Sequence, residues 1–180
     1  YIFNRSVIDE IPSDRVVSVE RETFPALVAN QRNVIGYLET AYWLDLGTPL
    51  AFVQGSRDVV LGTCVSPLVK VAGQALIAPT AQFADTSVIS NGSALADGVI
   101  VEAGCVIDGS VLMPGAVVHA GALIKDSLIG ANVVVGADSK LDAAVVADNV
   151  VLPKNMSLTS GEQVYPDGSV LLDGVQTRAI

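Results

Sequence analysis

Val101-Glu102-Ala103-Gly104-Cys105-Val106-Ile107-Asp108-Gly109-Ser110-Val111-Leu112-Met113-Pro114-Gly115-Ala116-Val117-Val118 carries an aliphatic side chain at Val101 and, six places on, at Ile107. The next falls after five residues, at Leu112, and the next after six again, at Val118. Followed outward, the beat runs without a gap from Ile77 to Leu158. It takes in Ile77, Phe83, Ile89, Leu95, Val101 and Ile107, then Leu112, Val118 and Ile124, then Ile129, Val135 and Leu141, then Val146, Leu152 and Leu158. The five-residue steps start at Ile107, Ile124 and Leu141, 17 residues apart. A shortened step that recurs at that interval is one corner of a three-sided coil. Self-similarity at a short fixed period marks a solenoid, and six matches neither the period of about 3.6 of a helix nor the alternation of a long strand. The ladder predicts a parallel β-helix over residues 77–158, each unit one short strand and one corner.

Four places after each ladder residue lies a second inward slot, where the chain carries Ala81, Ser87, Ser93, Val99, Cys105, Ala116, Ala122, Val133 and Ser139. Small and β-branched side chains suit a narrow interior lined by strands about 4.8 Å apart. Gly92, Gly98, Gly104, Gly115, Gly121, Asn91, Asn132 and Asn149 fall at corners, where a positive φ is cheap for glycine and asparagine. Half of the 180 residues are apolar and only 5% aromatic, the palette of such a core. No apolar run approaches the roughly 20 residues of a membrane helix. No charged and then apolar leader opens the chain, and the expected compartment is the cytoplasm. Cys64 and Cys105 are the two cysteines, in no metal-ligand spacing, and Cys105 reads as a buried filler. The net charge of −9 divides as −3 over residues 1–60 and −6 over 61–180, with no basic patch interleaved with aromatics. Nucleic acid and membrane are therefore not expected partners, and the acidic residues read as a solvated surface.

Residues 1–60 abandon the beat. Tyr1–Phe3, Val34–Leu38 and Ala41–Leu44 read as strands, and Ser6–Ile11 as a helical turn ended by Pro12. Ser18 reads as the N-cap of a helix opening Val19-Glu20-Arg21-Glu22, which Pro25 kinks or restarts. Thr48 as N-cap with Pro49 in the first turn opens a last helix to about Val60. Strands alternating with helices signal an α/β layer. Two or three strands are too few to cover both faces of a parallel sheet, so the expectation is the tail of a larger domain. The predicted organisation is an α/β remnant over 1–60, a linker over 61–76, the β-helix over 77–158, and a tail over 159–180 that caps the last coil or pairs with another subunit.

The runs Val19-Glu20-Arg21-Glu22-Thr23-Phe24-Pro25-Ala26-Leu27, Gly36-Tyr37 and Tyr42-Trp43-Leu44-Asp45-Leu46-Gly47-Thr48-Pro49, followed by the ladder, resemble the sugar-1-phosphate nucleotidyltransferases. Within them the chain looks most like the C-terminal part of bacterial mannose-1-phosphate guanylyltransferases. That resemblance implies a mainly β chain: a left-handed β-helix of hexapeptide repeats preceded by the α/β tail of a Rossmann-like nucleotidyltransferase domain. The handedness comes from the resemblance, since the period does not encode it. The implied substrates are a sugar 1-phosphate and a nucleoside triphosphate, mannose 1-phosphate and GTP foremost, with Mg2+ as cofactor and pyrophosphate released. The β-helix is the implied surface of a homo-oligomer.

Asp45 matches the family's metal-binding carboxylate, and its other reading is an Asx-turn residue. Glu20 matches a position that hydrogen-bonds sugar hydroxyls, and its other reading is a solvated glutamate at a helix start. Glu22 reads as helix-start electrostatics and Trp43 as packing. The spacing of Arg5, Arg15, Arg21, Arg32 and Arg57 selects none of them for phosphate. The family's glycine-rich nucleotide loop is not found in these residues, so no catalytic residue is assigned and the expectation is that they are inactive alone. A glucose-1-phosphate nucleotidyltransferase and a non-catalytic β-helix assembly module stay open as alternatives. His119, the only histidine, follows inward Val118 and so points outward; with no step longer than six residues to supply a covering loop, an acyltransferase is disfavoured.

Overall fold

A coil of three short strands has no neighbours within itself, so its backbone groups bond to the coils before and after. The computed structural model, which describes residues 1–67, 73–172 and 175–180, shows this stacking from Ala75 onward. One face of the solenoid is Ala75–Ile77, Ser93–Leu95, Val111–Leu112, Leu128–Ile129, Val145–Val146 and Glu162–Val164, all parallel. The second is Gln82–Phe83, Ile100–Val101, Val117–Val118, Val134–Val135 and Val151–Leu152. The third is Val88–Ser90, Val106–Asp108, Leu123–Lys125, Lys140–Asp142 and Ser157–Leu158. Ladder residues stand in register: Val101, Val118, Val135 and Leu152 on the second face, and Ile107, Ile124, Leu141 and Leu158 on the third. From Leu95 to Leu158 every ladder residue is buried, as are Ser93, Val99, Cys105, Ala116, Ala122, Val133 and Ser139 in the second slot. Ile77 and Ile89 are half-buried and Phe83 is exposed, because the first coil has a neighbour on one side only.

The shortened corners share a polar partner. Ser93, Ser110 and Ser127 occupy the inward slot one coil apart, and all three are fully buried. The Ser93 hydroxyl accepts from the Ser110 N–H (3.2 Å), that of Ser110 from the Ser127 N–H (3.0 Å), and that of Ser127 from the Ala144 N–H (3.0 Å). The Ser110 and Ser127 hydroxyls in turn donate to the carbonyls of Asp108 and Lys125. Each tight corner turns through one left-handed residue: Gly109, Asp126 and Ala143. At each of these corners a serine one coil back satisfies the inward amide, as Ser87 and Ser139 also do for the Cys105 and Met156 amides at six-residue corners (both 3.2 Å). All eight glycines and asparagines expected at corners have positive φ.

The tail closes the open end. Glu162–Val164 adds a sixth parallel strand to the first face, and Ser169–Leu172 and Val175–Ala179 then pair antiparallel. Val164 and Val170 are buried. Glu162, 4% exposed, accepts from the Thr159 N–H (2.6 Å) and hydroxyl (2.9 Å) and pairs with Arg178 (3.0 Å), which also donates to the Ser157 carbonyl (2.8 Å). The edge of the last coil is thus covered by the chain itself.

Ahead of the solenoid lie α1 (Arg5–Glu10), a π-helical turn (Val19–Thr23), α2 (Phe24–Ala29) and α3 (Pro49–Val60). Among the described residues no strand precedes Ala75, so the strands expected at Tyr1–Phe3, Val34–Leu38 and Ala41–Leu44 do not form. A strand exists only when its N–H and C=O groups meet a neighbour, and here none is supplied. Tyr1 and Phe3 pack on the Phe24 ring instead (centroids 5.0 and 5.5 Å). The chain divides into two compact units, Tyr1–Ala41 and Tyr42–Ile180. The division falls ahead of residue 60 because α3 packs on the solenoid's first face, burying Val53 and Val60. The solenoid begins at Ala75, inside the expected linker 61–76, of which residues 68–72 lie outside the described residues; so do 173 and 174 of the tail. Among the described residues no helix is long and apolar enough to cross a membrane.

Two measurements check this account. Ser110→Ala leaves the Ser127 amide without its acceptor and is expected to cost about 1–3 kcal/mol, read as a lower Tm; an unchanged Tm would mean the hydroxyl ladder contributes nothing. At Glu162, burial pushes the carboxyl up, but the Thr159 and Arg178 bonds outweigh it and hold the group below its ordinary range. Its folded pKa being depressed, its contribution is whole above the ordinary carboxylate range and fades as pH falls through the folded value. Glu162→Gln should therefore flatten the acid limb of a stability-versus-pH curve.

Candidate functional site

In the first unit, Ser18 caps the helical turn that carries Glu20 and Glu22. Its hydroxyl accepts from the Arg21 N–H (3.2 Å), and Glu22 reaches back to accept from the Ser18 N–H (3.3 Å). This reciprocal cap closes one residue later than a capping box because the turn is π: the Thr23 N–H bonds the Ser18 carbonyl five residues back (3.3 Å). Arg15 pairs with Glu22 (2.7 Å), and Arg15 together with the cap holds the Glu22 carboxyl below its usual range. Glu22 is thus occupied by helix-start electrostatics. Glu20, on the exposed side of the turn, accepts a hydrogen bond from the Tyr1 hydroxyl. Beside the turn a cavity of about 400 Å³ opens, lined by Val7, Glu10, Arg15, Glu22, Leu27 and Arg32 among others, with Glu10 and Arg32 paired at 3.0 Å.

In the second unit, Thr48 caps α3 by accepting from the Ala51 N–H (3.2 Å), with Pro49 in the first turn. Just ahead, Asp45 Oδ1 accepts from the Gly47 N–H (3.0 Å), an Asx-turn, and the carboxylate is exposed. The approach to this turn is tied to α3. The Tyr42 hydroxyl donates to Asp58 Oδ2 (2.6 Å), and Gln54 Nε2 donates to the other oxygen of that carboxylate (2.8 Å). Leu44 and Leu46 lie on α3 at Gly55, where a Cβ would stand 2.6 Å from a Leu46 methyl, so a side chain there would displace the Leu46 methyl. Tyr42, Leu44, Leu46, Phe52, Val59 and Cys64 line an apolar groove of about 350 Å³ that Leu76 and Ala94 complete.

Glu20 and Asp45 belong to different units, and each is positioned within its own. The described residues hold no group of three or more His, Cys, Asp or Glu disposed to bind a metal. The exposed Asp45 carboxylate could supply one ligand to a magnesium ion. Its Oδ1 is engaged in the turn, and a single carboxylate would suffice, since magnesium ordinarily fills most of its positions with water and phosphate. Trp43 is 81% exposed, so the packing expected of it is not made within the described residues.

His119 points outward as expected. Its Nδ1 lies 3.0 Å from Glu102 Oε1, whose second oxygen accepts from the Ala120 N–H (3.0 Å). Those two bonds, His119 first, hold the Glu102 carboxyl below its usual range. No long loop interrupts the coils around it. Cys105 is fully buried, burial pushes its thiol up, and its Sγ approaches the His119 carbonyl (3.2 Å). Arg5, Arg15, Arg32 and Arg57 each hold an acidic partner. Sequence reading missed the Tyr42–Asp58–Gln54 anchor. Its signal was the i, i+4 spacing of Gln54 and Asp58 on one helix face.

The Tyr42 anchor can be titrated. The hydrogen bond to Asp58, with burial and the Asp58 charge, pushes the phenol up to about 12. A raised folded pKa means its contribution is whole below an unfolded tyrosine's pKa and is lost as pH climbs through about 12. Asp58→Asn is expected to bring the Tyr42 transition back toward the ordinary phenol range, followed by phenolate absorbance.

The profile of the GMPPB C-terminal domain family matches residues 71–179. The chain is 42% identical over 125 residues to the mannose-1-phosphate guanylyltransferase of Mycobacterium tuberculosis, covering 59% of this chain and 35% of that protein. It is 31% identical over 110 residues to mannose-1-phosphate guanylyltransferase 1 of Arabidopsis thaliana (58% and 30%) and 38% identical over 85 residues to the mannose-1-phosphate guanyltransferase of Gibberella zeae (46% and 21%). The chain thus spans between 21% and 35% of the length of these relatives. Among solved structures, the acetyltransferase domain of PglB from Neisseria gonorrhoeae overlays with a TM-score of 0.40 at 17% identity, over 78% of this chain and 89% of that chain. That overlay is too loose to bear on function.

Proposed function

The chain belongs to the GMPPB C-terminal domain family, and from that membership we propose that it forms part of an enzyme making GDP-mannose from mannose 1-phosphate and GTP. The observation that carries this is the 42% identity over 125 residues to an enzyme named mannose-1-phosphate guanylyltransferase. In the reaction a phosphate oxygen of the sugar 1-phosphate attacks the α-phosphorus of the triphosphate, a P–O bond forms, and pyrophosphate leaves. Such a transfer asks for positioning and neutralised charge rather than a covalent nucleophile. Magnesium, when bound, neutralises charge on the phosphate oxygens.

Glu20 accepts hydrogen bonds from sugar hydroxyls in this reading. Its bond from the Tyr1 hydroxyl supports it, since a phenol O–H offers the same donor as a sugar O–H. Asp45 is the magnesium carboxylate, and its place in a turn fixed to α3 supports a positional role. We place subunit contacts of a homo-oligomer on the second face of the solenoid, where Ile100, Val117, Val134 and Val151 form an outward aliphatic stripe over four coils, with Val151 66% exposed. The cytoplasm, where nucleoside triphosphates are made, is the compartment in this reading.

Pyrophosphate release tests the assignment. A nucleotidyltransferase-competent polypeptide containing this chain should turn over mannose 1-phosphate with GTP faster than glucose 1-phosphate, and equal rates would move it to the sister enzymes. Asp45→Asn in that polypeptide is expected to lower kcat by about 10²-fold and raise the magnesium requirement. An unchanged magnesium titration would leave Asp45 as a turn residue only.

A further inference from the structure

The Arg57 side chain leaves α3 and ends among solenoid corners stacked one coil apart. Its Nη1 donates to Asp126 Oδ1 (2.9 Å) and its Nη2 to Asn91 Oδ1 (2.6 Å). Asn91 Nδ2 donates in turn to Asp108 Oδ1 (2.7 Å), so the guanidinium bonds two corners directly and reaches a third through Asn91. The contact is built for close approach. At Gly92, where φ is +80°, a Cβ would stand 2.7 Å from Arg57 Cγ and 3.1 Å from its Cα. The side chains of Arg57 and Asp126 are 26% and 36% exposed, so the pair is only partly screened. A planar fork with several donors reaches both acceptors at once, which a lysine ammonium at the end of a flexible stem does not.

The turn at Asp45 depends on the same helix. Thr48 caps α3, Asp58 holds Tyr42, and Leu44 and Leu46 lie against Gly55. A twelve-residue helix is marginal in water by itself, so whatever fixes α3 also fixes the turn. Apolar packing contributes only Val53 and Val60 as buried side chains, and such contacts resist sliding along a helix axis less than directed bonds do.

We propose that Arg57 is a positioning residue for the Asp45 turn: by locking α3 to the corner ladder, it makes the turn a rigid part of the solenoid. The magnesium part of this inference rests on the reading of Asp45 given above. A displacement of about 1 Å at a reacting centre costs on the order of 10²-fold in rate, which is reason enough to hold such a carboxylate on a stack of parallel coils.

The test uses Arg57→Ala and Arg57→Lys. In the 180-residue chain, hydrogen exchange over residues 43–53 should quicken by about tenfold in Arg57→Ala and less in Arg57→Lys, with residues 95–158 unchanged. In a nucleotidyltransferase-competent polypeptide containing the chain, Arg57→Ala should raise the magnesium concentration for half-maximal rate several-fold and leave KM for the sugar phosphate unmoved, with Arg57→Lys between. Unchanged exchange over residues 43–53 overturns the proposal, and so does a magnesium requirement that rises together with KM. Asp45→Asn separates the two readings. If it leaves the magnesium requirement unchanged, the metal role of Asp45 fails and exchange alone decides: faster exchange keeps Arg57 as the residue that fixes the turn, and unchanged exchange removes it.

Discussion

A single coil of this chain is too narrow to bury its own apolar side chains, and apart from corner bonds such as that from the Ala116 N–H to the Met113 carbonyl its backbone groups find no partner within it. Both needs are met only by the next coil, so every coil must present the same shape at the same height. That repetition constrains all that follows. Val101, Val118, Val135 and Leu152 stack in register because a residue out of step would leave a void inside the prism or force its neighbours off the ladder. The first coil, stacked on one side only, leaves Phe83 exposed; at the other end, the terminal hairpin is the covering layer.

Shape repetition also governs the polar groups inside. At the three shortened corners the inward amide is met by a serine one coil earlier, and this recurs until Ala144 ends the hydroxyl ladder. Polar atoms in so tight a space are tolerable because each has a partner: among the described residues no buried side-chain nitrogen or oxygen lacks one. Glu162 is the extreme case, a nearly buried carboxylate held by Thr159 and Arg178 at the cap.

A stack of identical corners is also a docking surface. Asn91, Gly109 and Asp126 stand at the same place in successive coils, with Asp108 just before Gly109, and one arginine from α3 reads the alignment. The helix that carries the Asp45 turn therefore belongs with the solenoid, while Glu20 lies in the preceding unit. The two residues singled out for metal and sugar are thus built on different supports: one on a π-turn with a reciprocal cap, the other on an Asx-turn ahead of a docked helix.

Amino-acid order alone determined the solenoid's repeat, its inward side chains, its corners of positive φ and the caps at Ser18 and Thr48. These rest on interactions between residues close in sequence or repeated at a fixed period, which order encodes directly. Tertiary structure decided the rest. Tyr1–Phe3, Val34–Leu38 and Ala41–Leu44 have the side chains of strands, yet pairing is a property of neighbours and not of a segment, and no ladder forms there. That Arg57, among five arginines in the first sixty residues, meets Asn91 and Asp126 rather than solvent follows from bringing together residues 34 and 69 positions apart. The unit boundary after Ala41 has the same origin, because α3 buries Val53 and Val60 against strands that lie far along the chain.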